Sequence, residues 1–125
     1  MTQEEIKNLE KDADGMKTYE FLVNNIESLT DEQLTDVIDN LAQKDHSGQY
    51  LASGVKYMNA INANKYRSHI QKMTSMTIDR DREHHFLGDL IQNLYGEDYY
   101  NRVEQYKDDD NFRRMYKRLY PTGVI

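Results

Sequence analysis

Apolar residues recur at helical spacing along most of this chain, and its one proline, Pro121, lies almost at the end. The spacing is clearest at Leu34, Val37, Ile38 and Leu41, which would share one face of a helix. Proline interrupts helices, so helices can form without such interruption through the first 120 residues. No segment alternates at the period of a strand for long, and no hairpin signal lies between β-branched runs. The chain is therefore predicted to be all-α.

Capping and turn residues predict where the helices of the first half begin and end. Thr2 with Glu5, and Thr30 with Gln33, have the spacing of a capping box, in which each side chain satisfies a backbone N–H. Gly15 is expected to break or bend the first helical segment. The sequence KDHSG, around residue 46, is a turn cluster that should end the helix begun at Thr30.

The second half is predicted to contain further helices. Residues 49–76 should form one long helix, or two with a break at the weak helix formers NANK. Residues 79–95 form another candidate, with Gly96 suited to its C-terminal cap. Asp110 is expected to cap the last helix. We predict a compact bundle of five to seven helices without a sheet, in one domain over residues 1–125, because no helix can bury its apolar stripe alone. No internal repeat is apparent.

Composition restricts the chemistry. Without cysteine there is no disulfide, thiolate nucleophile or cysteine metal site. Leu, Ile, Val and Phe make up about a fifth of the chain, so the core is thin, and six Met and ten Tyr supply apolar bulk. No apolar run approaches the length of a membrane span, and the acidic start MTQEEIKNLE has no signal-peptide core. These features predict a soluble, cytoplasmic protein that does not contact a membrane.

Charge is distributed unevenly along the chain. Residues 1–45 contain 12 acidic and 4 basic residues, whereas residues 46–78 contain 4 basic residues and no acidic one. Residues 97–111 are again acidic, and residues 112–125 are basic. Two interpretations are open. Segments of opposite charge face each other within the fold, or a surface of one sign steers a binding partner.

The sequence REHHFLGDL contains the most conspicuous candidate for a metal or proton-transfer site, His84 with His85. On one continuous helix, adjacent side chains point about 100° apart, so these two rings would not converge on one metal. Asp81, His85 and Asp89 would instead share a solvated face. A calcium loop beginning at Asp79 is excluded, because His84 occupies the position that needs glycine. We expect no metal site here.

No other pattern nominates a catalytic residue or a cofactor. Ser53 and Lys56 have S-x-x-K spacing, but the companion motifs of that catalytic site are absent. The six glycines are scattered, so no loop of the kind that cradles phosphate is present. His46 or His69 would have to come from elsewhere in the fold to complete a metal site. We expect no enzymatic activity and no cofactor.

Two segments near the C-terminus are candidate surfaces for binding a partner. The acidic segment around Tyr99, Tyr100 and Tyr106 is rich in tyrosine, which is favoured at protein interfaces. The last helix has a basic face opposite its apolar face, although its charges also complement the helix dipole. The basic residues of that face are Arg113, Arg114, Lys117 and Arg118.

These features predict a non-catalytic module that binds another protein. The sharper form is a small acidic inhibitor or regulator of a nucleic-acid-handling protein, since an acidic surface with tyrosines can occupy a basic groove. The alternative is direct nucleic-acid binding through the basic segment 46–78, which the net charge of −6 opposes. Self-association through the Met and Tyr stripes also stays open.

Overall fold

A computed structural model describes residues 2–122, apart from the side chain of Thr2. Within that range the chain forms seven α-helices and no strand, which confirms the all-α prediction of five to seven helices. The predicted capping box at Thr2 and the tail at residues 123–125 lie outside the described residues. The helices are α1 (Thr2–Asn8), α2 (Met16–Asn25), α3 (Asp31–Lys44), α4 (Gln49–Asn62), α5 (Arg67–Arg80), α6 (Leu87–Tyr95) and α7 (Asp110–Leu119). Short 3-10 helices span Leu9–Lys11, Ile26–Ser28, Tyr99–Asn101 and Val103–Tyr106.

The seven helices are arranged in two layers. In one layer α2 contacts α4 and α4 contacts α6, and in the other α1, α3, α5 and α7 contact one another in that order. Three helix pairs connect the layers: α2 with α3, α4 with α5, and α6 with α7. Buried apolar residues from all seven helices form one cluster, which includes Ile6, Leu22, Ile38, Leu51, Met73, Leu90 and Phe112.

A buried aspartate precedes each helix pair. Asp12 lies before α2, Asp45 before α4 and Asp81 before α6, and none of the three is more than 5% exposed. Each carboxylate accepts backbone N–H groups at the start of the following helix, which have no partner within the helix itself. One hydrogen bond is common to the three turns, and its donor is the backbone N–H of the residue six positions after the aspartate. These bonds join Thr18 to Asp12 (2.8 Å), Leu51 to Asp45 (2.8 Å) and Leu87 to Asp81 (3.0 Å). These hydrogen bonds offset the cost of burying the charges.

The third residue after each of these aspartates has a positive φ. It is Gly15 (φ 105°) in the first turn, Gly48 (φ 89°) in the second and His84 (φ 59°) in the third. Glycine is favoured in this left-handed region because it has no Cβ. His84 is the one residue other than glycine with a positive φ in the described part of the chain.

The chain therefore contains an internal repeat, which corrects the expectation drawn from the sequence. Asp12, Asp45 and Asp81 are separated by 33 and 36 residues, and each begins a unit made of one turn and one helix pair. The residue ten positions after each aspartate is fully buried: Leu22, Val55 and Ile91. In such stacks each unit buries its apolar face against its neighbours.

One predicted helix is divided in two. Residues 79–95 were expected to form one helix. In the structure, residues 79 and 80 are the end of α5, and α6 begins only at Leu87. The Asp81 carboxylate accepts the N–H groups of His85 (2.8 Å) and Phe86 (2.7 Å), and this turn replaces a continuous helix. The solvated face predicted for Asp81, His85 and Asp89 is consequently wrong, since Asp81 is 2% exposed.

Two other helix ends refine the predictions. Residues 49–76 belong to two helices, α4 and α5, with the break at residues 63–66, inside and just after the NANK sequence. The last helix is capped by Asp109 rather than Asp110, because Asp109 Oδ1 accepts the Phe112 N–H at 3.1 Å. Asp110 is instead the first residue of α7.

Candidate interaction site

The basic face of α7 divides into two halves with different surroundings. Arg114 and Arg118 extend toward α5, the neighbouring helix in the layer. Arg114 donates to Ser75 Oγ at 3.0 Å and pairs with Asp79. Arg118 Nη1 donates to the carbonyl oxygen of Ile78 at 2.8 Å. These two arginines thus help to attach α7 to the last turns of α5.

Arg113 and Lys117 form the outer half of that face. Both side chains are exposed, and neither makes an ion pair with another residue between positions 2 and 122. Tyr120 follows at helical spacing and is 40% exposed. We call Arg113, Lys117 and Tyr120 the basic stripe. It is the part of the predicted basic face that a partner could reach.

The three predicted interface tyrosines have different environments. Tyr99 is 5% exposed, and its hydroxyl forms a hydrogen bond with that of Tyr120 at 2.8 Å. Tyr106 is half-buried, with its ring centroid 4.8 Å from that of Phe112. Tyr100 is 56% exposed. Of the three, Tyr100 is therefore the one that presents most of its side chain to solvent.

The surroundings of Tyr95 and Tyr99 raise the pKa values of their hydroxyl groups. Burial, followed by the hydrogen bond to Asp109, raises the pKa of Tyr95. Burial, followed by the hydrogen bond to Tyr120, raises the pKa of Tyr99. Both hydroxyls thus stay protonated at neutral pH and take part in hydrogen bonds that hold the α6–α7 connection together.

An acidic surface covers the N-terminal part of the molecule. Of the 12 acidic residues in positions 1–45, Asp12 and Asp45 are buried in turns and the other ten are exposed. These ten, which we call the acidic surface, are Glu4, Glu5, Glu10, Asp14, Glu20, Glu27, Asp31, Glu32, Asp36 and Asp39. A groove of about 720 Å³ lies between α1 and α3, and its lining includes Glu4, Glu10, Asp36 and Asp39.

Two of the four basic residues in segment 46–78 pair with acidic residues from other helices. Lys56 pairs with Asp89 of α6 at 2.5 Å, and Lys72 pairs with Asp39 of α3 at 3.1 Å. Segments of opposite charge therefore face each other, as one of the two interpretations expects. Lys65 and Arg67, at the break between α4 and α5, are exposed.

The histidines do not converge on a common point. His85 Nε2 lies 2.7 Å from a Glu83 carboxylate oxygen, and His69 Nε2 lies 2.9 Å from Asp31 Oδ1. His46 and His84 are exposed in separate turns. Across residues 2–122, no three histidine, aspartate or glutamate side chains are grouped in a way that could hold a metal ion.

The S-x-x-K residues do not form a reactive pair. Ser53 Oγ donates to the carbonyl oxygen of Gln49 at 3.1 Å, while Lys56 is engaged with Asp89. A second groove, of about 740 Å³, lies between the α4–α5 pair and the α6–α7 connection. Its lining includes Asp109, whose two carboxylate oxygens already accept bonds from Tyr95 and Phe112.

Sequence reasoning missed the three buried aspartates that accept N–H groups at the starts of α2, α4 and α6. Burial works to raise the pKa of Asp12, but hydrogen bonds from Thr18 and nearby backbone N–H groups outweigh it, so the pKa is lowered. The recurring spacing of aspartate and glycine, D-x-x-G at residues 12 and 45, was the available signal. It was obscured by His84 in the third copy.

Comparison with protein-family models, with curated proteins and with solved structures gives no significant match. No helix in the described part of the chain is both long and apolar enough to cross a membrane. The candidate site therefore rests on the geometry alone: an acidic surface on α1 to α3, and a basic stripe on α7.

Proposed function

We propose that this chain is a non-catalytic protein-binding module and that the acidic surface of α1 to α3 contacts its partner. A small acidic inhibitor or regulator of a nucleic-acid-handling protein is the specific form of the proposal. The observation that supports it best is the exposure of ten carboxylates between residues 4 and 39, seven of them on α1, α2 and α3. Such a field of one sign raises the rate of encounter with a basic partner.

The scaffold suits this role because it fixes the helices that carry the carboxylates. α1, α2 and α3 contact one another directly or through the 3-10 helix Leu9–Lys11. Asn40 of α3 donates both to the carbonyl oxygen of Leu9 and to Thr18 Oγ1, each at 2.9 Å. Most of the acidic side chains are thus carried by helices that pack together, whereas Asp14 lies in the turn before α2. Preorganised charges need less ordering when a partner binds.

The proposed partner has a basic groove of the kind that accommodates phosphates. An acidic protein surface can occupy such a groove because it presents negative charges in place of those of nucleic acid. Binding should weaken as salt is added, since exposed charges are screened over about 8 Å at physiological ionic strength. Tyr100, in the other acidic segment, is a second exposed contact candidate.

Direct nucleic-acid binding, the alternative, receives less support. Two of the four basic residues in segment 46–78 are already paired, Lys56 with Asp89 and Lys72 with Asp39. The remaining two, Lys65 and Arg67, lie at the α4–α5 break, and the basic stripe lies on a different helix. These charges do not form a continuous path for a phosphate backbone.

The test is affinity capture from a lysate of the source cell, with and without nuclease, read by mass spectrometry. The acidic-surface variant E4Q/E10Q/D36N is compared with E83Q/E97Q/D108N, which removes as many exposed charges from the third unit. We expect one protein to be captured despite nuclease, and to be lost with the first variant alone. Loss of the captured protein with the second variant would instead indicate that the partner contacts the third unit. Capture that disappears with nuclease would contradict the proposal.

A further inference from the structure

The outer side of α7 carries positive charge that the fold does not use. Arg113 and Lys117 are one turn apart and exposed, and no carboxylate in the described part of the chain pairs with either. Tyr120 extends the same stripe with a ring that is 40% exposed. Among residues 2–122, α7 is the last helix of its layer, so no further helix of that layer lies beyond it.

The opposite end of the same layer carries the complementary charge. α1 is the first helix of that layer and packs on α3, and the groove between them is lined by Glu4, Glu10 and Asp36. None of these three carboxylates is paired with a basic residue within residues 2–122. The groove also contains Lys7, so its lining is mixed, but acidic residues outnumber it.

Neighbouring helices within this layer are already joined by pairs of opposite charge. Asp39 of α3 pairs with Lys72 of α5 at 3.1 Å, and Asp31 Oδ1 of α3 lies 2.9 Å from His69 Nε2 of α5. Asp79 of α5 pairs with Arg114 of α7. Within this layer, carboxylates of one helix thus face cations of the next. Among residues 2–122, unpaired carboxylates remain at the α1–α3 end of the layer and unpaired cations at the α7 end.

We propose that the basic stripe of α7 binds the acidic groove between α1 and α3 of a second copy of this chain. The contact is head to tail, because the two surfaces are different and lie on the first and last helices of the layer. It repeats between molecules the charge pairing that joins α3 to α5 and α5 to α7 within one molecule. Contacts of this type build open chains, or closed rings where the rotation permits.

This association goes beyond the proposed function and needs no other protein. Exposed charge pairs contribute little each, so the complex is weak and dissociates when salt screens its charges. In the absence of a partner, the second copy would cover part of the acidic surface. The test therefore uses the purified chain alone, so its failure would leave the proposed partner binding untouched.

The experiment is sedimentation velocity on the purified chain over a range of concentrations, at about 50 mM and about 500 mM salt. We expect the mean mass to rise with concentration at low salt and to return to the monomer at high salt. The variants R113E/K117E and E10K/D36K should each stay monomeric at low salt, because their two contact surfaces then carry the same sign. Circular dichroism establishes that each variant is folded.

Mixing the two variants gives the decisive measurement. In the mixture the acidic stripe of one variant meets the basic groove of the other, so association should return to the wild-type level. The control K65E/R67E reverses two exposed charges away from both surfaces and should associate as the wild type does. A wild-type chain that stays monomeric at low salt, or variants that stay monomeric when mixed, would overturn the proposal.

Discussion

At the scale of single residues, the aspartates that begin each unit explain how a thin core supports seven helices. Asp12 Oδ2 accepts both the N–H and the hydroxyl of Thr18, at 2.8 and 2.7 Å. Asp45 Oδ2 likewise accepts the N–H groups of Tyr50 and Leu51, both at 2.8 Å. One charged group thereby satisfies several donors at the start of the following helix.

The lowered pKa of Asp12 has a defined consequence for stability. A carboxyl group with a folded-state pKa below its ordinary value of 3.8 stabilises the fold above that value. This contribution is lost as the pH falls through the folded-state pKa. D12N should therefore lower the free energy of unfolding by about 1–3 kcal/mol at neutral pH. The difference from the wild type should shrink as the pH falls through the lowered pKa of Asp12, because the carboxyl group then becomes uncharged, as the amide of the variant is.

Urea denaturation at neutral pH and at a series of acidic pH values measures this effect. D36N removes a carboxylate from an exposed position and serves as the control, with an expected change within about 0.5 kcal/mol. A D12N variant that loses as much stability at low pH as at neutral pH would show that the charge of Asp12 is not the cause.

His84 occupies a backbone position where the other two units have glycine. A side chain in the left-handed region costs about 1–2 kcal/mol, and glycine removes that cost while making the unfolded chain more flexible. We therefore expect H84G to raise the free energy of unfolding by about 0.5–1 kcal/mol. G48A should lower it by about 1–2 kcal/mol, because an added Cβ meets Thr77 at an ordinary 3.5 Å and the cost comes from φ.

Thermal denaturation of the two variants separates these effects. Opposite shifts of the midpoint are expected for H84G and G48A. A destabilised H84G variant would mean that the imidazole of His84 makes a favourable interaction in the folded protein that outweighs its backbone strain.

At the scale of helices, the sequence predicted the elements that depend on local signals. The capping box of α3 is present, with the Gln33 N–H donating to Thr30 Oγ1 at 3.1 Å and the Thr30 N–H to Gln33 Oε1 at 2.9 Å. The turn at residues 81–86 was not predicted, because it contains no glycine or proline and Phe86 fits the helical spacing of the apolar residues that follow. There the bonds to Asp81 override helix propensity, and such competition is invisible in a periodic pattern.

The sequence predicted which residues form the candidate site, but not which of their side chains are exposed. Helical spacing predicted one basic face on α7, and the structure has it. That face contains Arg113, Arg114, Lys117 and Arg118. Which two of them contact α5 depends on how the two helices pack, and a single sequence does not specify this. For the same reason Tyr99 could not be distinguished from Tyr100, although one is 5% and the other 56% exposed.

The two halves of the basic face should differ in their effect on stability. R114A and R118A each remove a charged hydrogen-bond donor that contacts α5, and each should lower the free energy of unfolding by about 1 kcal/mol. R113A and K117A should change it by less than about 0.5 kcal/mol, because their side chains are exposed. Urea denaturation of the four variants checks this. Equal losses at all four positions would contradict the assignment of Arg113 and Lys117 to the outer surface.

At the scale of the whole molecule, three units of one design differ mainly in what they present to solvent. The first unit and α1 carry most of the exposed acidic residues, and the second pairs two of its cations, Lys56 and Lys72, with the helices on either side. The third has a long α6–α7 connection that packs Tyr95, Tyr99 and Tyr106 around Phe112. Charge therefore changes sign from the first helix of the layer to the last, while the internal architecture is repeated.

The order of the units also bears on how the chain is made. The second unit packs on the first through contacts of α4 with α2 and of α5 with α3, so α1 to α5 already contain Leu22, Val37, Leu51 and Met73 of the buried cluster once the chain has emerged as far as Arg80. Chains emerge from the ribosome at roughly 5–20 residues per second, far more slowly than helices form and associate. The first two units can thus fold while the third is still being translated. Tyr95, Tyr99 and Tyr106, which pack around Phe112, all belong to the third unit. This aromatic group is therefore the last part of the core to assemble.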